Sequence, residues 1–355
     1  MGVKDPAGFS AAPLTAGRVC CRLERARMTD DRTLYVGTDH ALYRARPGED
    51  GRWRAEGVAL AGLGGVRGLV IDPDDPRRWW ACTGGSGVLA TRDEGIAWRE
   101  SNLGVTCTAG WCLARHPRTG ELWYGAEPAC LFRSADAGET WRACGGFEAP
   151  AGRPEDARVR HVTVDAGGLV LASVEGGWLL RSDDGGATWS RVSDGIDLDC
   201  HATALVPGRA DVVLASTGNG LYRSADRGRT FAPSSDGMRH RYVTGLVVHP
   251  DRPEVAFAAA AECGPLASAG RPEGAGGACY RSDDGGRTWS RLAGGLPEVM
   301  RPAPTSVAGD PGDPGSFYVG TTDGSVWLSE DGGDSFEIAV EGIQGWVRHL
   351  LLVRR

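Results

Sequence analysis

The chain has 355 residues, 41% hydrophobic and 24% charged, with a formal net charge of −7 at pH 7, the size of one large domain or two average ones. That acidic balance argues against a nucleic-acid or anionic-membrane surface, and no run approaches the ~20 apolar residues of a membrane-spanning helix. The 54 glycines and 12 tryptophans, without long apolar runs, indicate short strands joined by tight turns.

Residues 1–32 read as an N-terminal tail, disordered or upstream of the true start. Lys4 is followed at once by Asp5, and Ala7–Gly17 is Pro-broken and too weakly apolar for a secretory core. Met28 stands just before the first strand as an alternative start. Cys20 and Cys21 lack the small apolar residues that precede a lipidated cysteine. The ten cysteines contain no CxxC pair, so free thiols in a reducing compartment are expected, and the cytoplasm is the expected location.

From residue 33 the chain repeats. TLYVGT (33–38) is a strand, and LYRARPGEDGRW (42–53) follows as a degenerate first copy of the repeat motif. The motif then recurs as TRDEGIAW (91–98), SADAGETW (134–141), SDDGGATW (182–189), SADRGRTF (224–231), SDDGGRTW (282–289) and SEDGGDSF (329–336). The pattern is Ser/Thr-x-Asp-x-Gly-x-Thr/Ser-aromatic, with Ala97 the one departure at the second hydroxyl. From Trp98 the aromatic residues follow at gaps of 43, 48, 42, 58 and 47, and 45 residues back from Trp98 lies Trp53. Such a period signals stacked repeat units. Asp accepts bonds from turn amides and Gly tolerates positive φ. Two further apolar β runs precede each motif, as in VRGLVIDP (66–73) with WWACTG (79–84). Four strands per unit make a propeller blade. The first unit lacks an inner strand and WVRHLLLV (346–353) supplies one, so residues 33–355 are expected to form an all-β, seven-bladed propeller closed by its C-terminal strand.

The motif resembles that of the Asp-box (BNR) repeat propellers, over roughly residues 33–353. That group includes sialidases, xyloglucan-degrading glycoside hydrolases, sortilin-type receptors and photosystem II assembly factors. The resemblance implies that Asp93, Asp136, Asp184, Asp226, Asp284 and Asp331 are structural turn residues on the face away from the ligand site. Family chemistry does not carry over directly. YRARPG (43–48) is not the Phe/Tyr-Arg-Ile-Pro motif of sialidases, no Tyr–Glu nucleophile pair can be placed, and there is room for one propeller where xyloglucanases use two.

A site is expected at the channel mouth opposite the Asp boxes. Aligned on their ends, the first strands offer one equivalent position per blade: Arg348, Arg67, Trp111, Arg160, His201, Thr244 and Thr305, with His349, Cys112 and His161 adjacent and Arg241 nearby. Arg67, Arg160 and Arg348 suit an anion, because guanidinium offers paired planar donors; solvated strand-end charge is the alternative. Asp39, Glu127, Glu175, Asp199, Glu262 and Asp323 are rim acids, read as solvated loop charges. Cys107, Cys112, Cys130, Cys144, Cys200, Cys263 and Cys279 fall toward the same face, where a thiolate–imidazole metal site competes with plain buried thiols. The Gly/Ala/Pro-rich insertion Glu262–Ala278 reads as a lid, or a loop stapled by Cys263 and Cys279. Phe147, on a second long connection, reads as an exposed anchor or as packed back on the rim.

Three functions follow from this pattern. The first is a binding or assembly module for a protein partner or a small anionic or carbohydrate ligand, without cofactor or metal and acting as a monomer. The second is a sialidase-like glycoside hydrolase acting on an anionic sugar. The third is a Cys/His metal-dependent enzyme. Fold alone does not choose among them.

Overall fold

Burial peaks at the second strand of each repeat and is least at the fourth. Second strands such as Trp79–Thr83 and Ala256–Ala261 are buried at every position, covered on both faces, whereas fourth strands such as Arg99–Glu100 and Ser290–Arg291 are exposed. The computed structural model describes residues 31–147 and 157–354. The expected tail, up to residue 30, lies outside the described residues, as does part of the second long connection, 148–156. The first blade's strand begins at Arg32, one residue before the expected boundary.

Seven four-stranded antiparallel sheets form, six of them with strands in chain order from the channel outward. The seventh, blade 1, takes its innermost strand from Val347–Arg354, paired with Arg32–Thr38 from Arg32↔Arg354 to Thr38↔Val347. Each innermost strand touches those of both neighbouring blades, and Val347–Arg354 touches Val66–Ile71 of blade 2 and Pro304–Gly309 of blade 7, so the ring is closed. An apolar layer fastens the join: Leu34, Val36, Leu350 and Leu352 pack with Tyr318, Val326 and Leu328 of blade 7. Arg354 adds a forked bond to the buried Asp310 carboxylate, at 2.8 and 2.6 Å.

The Asp boxes are turns between third and fourth strands. In blade 3 the Ser134 hydroxyl donates to Asp136 Oδ1 and accepts from the Gly138 amide, while Thr140 donates its amide to Oδ1 and its hydroxyl to Oδ2. The Thr140 hydroxyl and amide hold the Asp136 carboxyl down at about 2. Equivalent bonds close the turns at Asp184, Asp226, Asp284 and Asp331. At Asp93 the Thr91 hydroxyl and the Ala97 amide still donate to Oδ1, but the bond to Oδ2 is lost because alanine has no hydroxyl. The arginine just before the box tethers the blade to the next: Arg133 donates to the Gly185 carbonyl, Arg181 to Arg227, Arg223 to Gly285 and Arg281 to Gly332. These arginines and aspartates are scaffold on the side away from the channel mouth.

Candidate functional site at the channel mouth

The seven positions aligned from sequence share one backbone feature. In every innermost strand the register slips at that residue: Val66 pairs with Thr83 and Gly68 with Cys82, passing over Arg67, and the same slip passes over Trp111, Arg160, His201, Thr244, Thr305 and Arg348. A β-bulge frees a residue from the ladder and re-aims its side chain. A ring of bulges therefore sits at the mouth.

Several bulge residues stitch blade to blade. His201 Nδ1 lies 2.7 Å from the Val243 carbonyl, Thr244 donates to the Pro304 carbonyl at 2.6 Å, and Thr305 to the Val347 carbonyl at 2.5 Å. Each acceptor immediately precedes the next blade's bulge. Arg67 reaches the equivalent carbonyl of Gly110 only at 3.5 Å.

Arg160 is committed elsewhere. Its Nη1 stands 2.6 Å from Glu175 Oε2, and Arg158, two residues earlier on the same side of the strand, approaches Glu175 at 3.7 Å and Glu127 at 3.7 Å. Burial alone would lower Arg160, but the Glu175 carboxylate and Tyr242 oxygen outweigh it and raise it. Glu175, which burial would raise, ends lowered by Arg160 and Arg158. Trp111 donates to Glu127 at 2.7 Å, with Arg67 over its ring at 4.0 Å and Arg158 at 4.8 Å.

Arg67 differs from the other mouth arginines. Blade 2 ends its second strand in Thr83 followed by Gly84, not in an acid, and no carboxylate ion-pairs with Arg67 among the described residues. Its Nε is buried without a hydrogen bond. Arg348 has Asp39 at 3.6 Å and Trp346 beneath it at 4.6 Å. Burial, then the charge of Arg67, brings Arg348 down to about 10. Arg67 thus lowers the charge stability of Arg348, which Asp39 partly restores. Inside the channel, burial takes His161 down to about 4, helped by His349, and takes His349 to about 4 as well.

Several sequence readings change. Asp39, Glu127 and Glu175 are ion-paired mouth groups, not solvated loop charges, because the bulges turn basic side chains toward the strand ends that carry them, and Asp199 faces the buried His201 Nε2 at 3.4 Å. Arg241 is exposed, beside Tyr222 and Gly220. Among the described residues, no cluster of three metal-type ligands contains a cysteine. Burial pushes Cys112, Cys144 and Cys279 up to about 12, which keeps them protonated thiols. Cys263 and Cys279 are free: Cys279 lies in the buried third strand opposite Ala259, and Cys263 accepts from Arg271 at 3.0 Å. The insertion is a folded loop, with Ala275 and Gly277 bonded to Arg301 and Met300, and its Gly264 lies against the Tyr242 ring. Phe147 packs edge-on against Trp189 at 5.4 Å, so it is no exposed anchor.

Sequence reasoning missed Arg158, Tyr242 and Trp346. All three, like Asp199, stand two residues before a bulge residue, and a period of two puts them on its side of the strand. Aligning that position across blades gives Trp346, Gly65, Ala109, Arg158, Asp199, Tyr242 and Ala303. Four of the seven carry aromatic or charged side chains, and the other three, Gly65, Ala109 and Ala303, are small.

Seven blades with six Asp-box turns define the chain as a β-propeller of the BNR/Asp-box repeat class. The BNR/Asp-box repeat family matches residues 280–291. A Paenibacillus xyloglucanase is 26% identical over 270 residues, 71% of this chain and 24% of that protein. The chain spans about a quarter of the length of the curated relatives it matches. A GH74 enzyme of Niastella koreensis superposes with a TM-score of 0.65 at 16% identity, covering 87% of this chain and 52% of that one. YCF48 bound to D1 peptide superposes with a TM-score of 0.53 at 16% identity, covering 78% and 81%. These structures share the fold.

Proposed function

We propose that this propeller is a binding module whose channel mouth takes a carboxylate, free or on a protein partner, between Arg67 and Arg348. The observation that carries this reading is Arg67 itself. It is held on Trp111, lies near enough to Arg348 to lower it, and has no carboxylate ion partner among the described residues. Its chemistry is complete only with an added anion. YCF48 offers a fold-level precedent for peptide binding by such a ring. Arg160 belongs to the wall of the site, since Glu175 occupies it.

The glycosidase reading draws on the xyloglucanase match. The carboxylates of Glu175 and Asp199 do not support it. Arg160 holds Glu175 at 2.6 Å and His201 stands 3.4 Å from Asp199, so neither carboxylate is left free to flank a glycosidic bond.

The test is calorimetric titration of small mono- and dicarboxylates, phosphate and a carboxylate-terminated peptide into the protein and its Arg67→Gln variant. Binding that weakens at least tenfold in Arg67→Gln supports the reading. Equal binding by both proteins, or none of these anions binding the wild type, rejects it.

A further inference from the structure

Glu175, Asp199 and His201 meet where blades 4 and 5 adjoin at the mouth, and one ligand atom from each lies within 4.8 Å of the other two. Glu175 closes the second strand of blade 4, and His201 is the bulge residue of blade 5, two residues after Asp199.

The orientation of His201 is fixed by its neighbour. A carbonyl only accepts, so the 2.7 Å contact between Nδ1 and the Val243 oxygen requires the proton on Nδ1. The neutral ring then presents the Nε2 lone pair. That atom is buried, in a side chain with no exposed area, and makes no hydrogen bond, yet it stands 3.4 Å from Asp199 Oδ2. A lone pair facing a carboxylate is repulsive unless a proton or a metal cation lies between. Ligand atoms about 2.0–2.1 Å from a zinc-type ion in tetrahedral array are about 3.4 Å apart, the spacing between His201 Nε2 and Asp199 Oδ2. An Nδ1–H bonded to a carbonyl is also the usual second partner of a metal-ligating imidazole.

We propose that Glu175, Asp199 and His201 bind a transition-metal dication, zinc or a first-row neighbour, at the channel mouth. This inference is independent of the carboxylate reading, which rests on Arg67 and Arg348. Two features select the ion. The imidazole nitrogen favours zinc, copper, nickel or cobalt over the oxygen-seeking magnesium and calcium. Arg160 and Arg158 beside Glu175 add positive charge that a weakly held hard cation cannot overcome. Three protein ligands leave a coordination position for water or another small donor.

The test uses the full chain, freed of metal with chelator and titrated with Zn²⁺ by calorimetry and with Co²⁺ by visible absorption. The expected result is one Zn²⁺ per chain and Co²⁺ bands of four- or five-coordinate type. Asp199→Asn and His201→Gln should each weaken Zn²⁺ binding at least tenfold, and Arg158→Gln should tighten it severalfold. Glu262→Gln, on the rim, should bind as wild type does. If Asp199→Asn or His201→Gln unfolds, the Co²⁺ spectrum of the wild type decides alone. No Zn²⁺ binding, octahedral Co²⁺ without an imidazole ligand, or stoichiometric binding that survives in both Asp199→Asn and His201→Gln overturns the proposal.

Discussion

Replacing Glu175 by Gln separates scaffold from ligand site at the mouth. Arg160 and Glu175 are each only 20% exposed and meet at 2.6 Å. At ~4 Å and an effective dielectric of ~20, two unit charges attract by about 4 kcal/mol, and removing one partner of a buried pair costs about 3–5 kcal/mol. Glutamine still accepts a hydrogen bond, and Arg158 keeps Glu127 at 3.7 Å, so the expected loss is about 2–3 kcal/mol, below the full range. Arg160→Gln should cost a similar amount. The double variant should lose less than the sum, with a coupling of about 1–3 kcal/mol. Urea unfolding at pH 7 in the presence of chelator measures all four proteins. A coupling under about 0.5 kcal/mol, the level at which independent sites add, would refute the assignment of Arg160 to the wall and return it to the ligands.

Leu350→Ala should destabilise by about 2–5 kcal/mol, since Leu350 is 7% exposed in the layer joining blades 1 and 7. Hydrogen exchange should quicken first in Arg32–Thr38, and uniform quickening across all blades would count against a local join. His161 and His349 titrate near 4 in the folded channel against an ordinary value of 6.5. Between those values the unfolded chain binds more protons, so stability is full above about pH 6.5 and falls as pH drops toward 4. Thermal unfolding of His161→Gln/His349→Gln should flatten that slope, and an unchanged slope would place the acid sensitivity elsewhere.

The ring was legible because turn chemistry recurs in the residues themselves: Asp136 and Thr140 are both needed for one turn, and the same pair is spelled again at 184 and 188. The bulge residues were legible as alignment positions, though not as bulges, since slipped register is a property of two strands. Pairing of charges was not legible. Glu175 and Arg160 are 15 residues apart and meet only because antiparallel pairing returns one strand end to the start of another. The isolation of Arg67 was hidden for the same reason, being set by Gly84 on its partner strand.

The join between Arg32–Thr38 and Val347–Arg354 also governs the order of events during synthesis. Leu34 leaves the ribosome long before its partner Leu352. At ~5–20 residues per second, the inner edge of the first blade waits on the order of tens of seconds for its complement. Through that interval LYVGT is a bare, apolar edge strand, the kind that recruits strands from other chains. The first strand therefore stays open to such pairing until the last one arrives. Slower elongation over the last blade lengthens that exposure, and a chaperone that covers residues 32–38 shortens it.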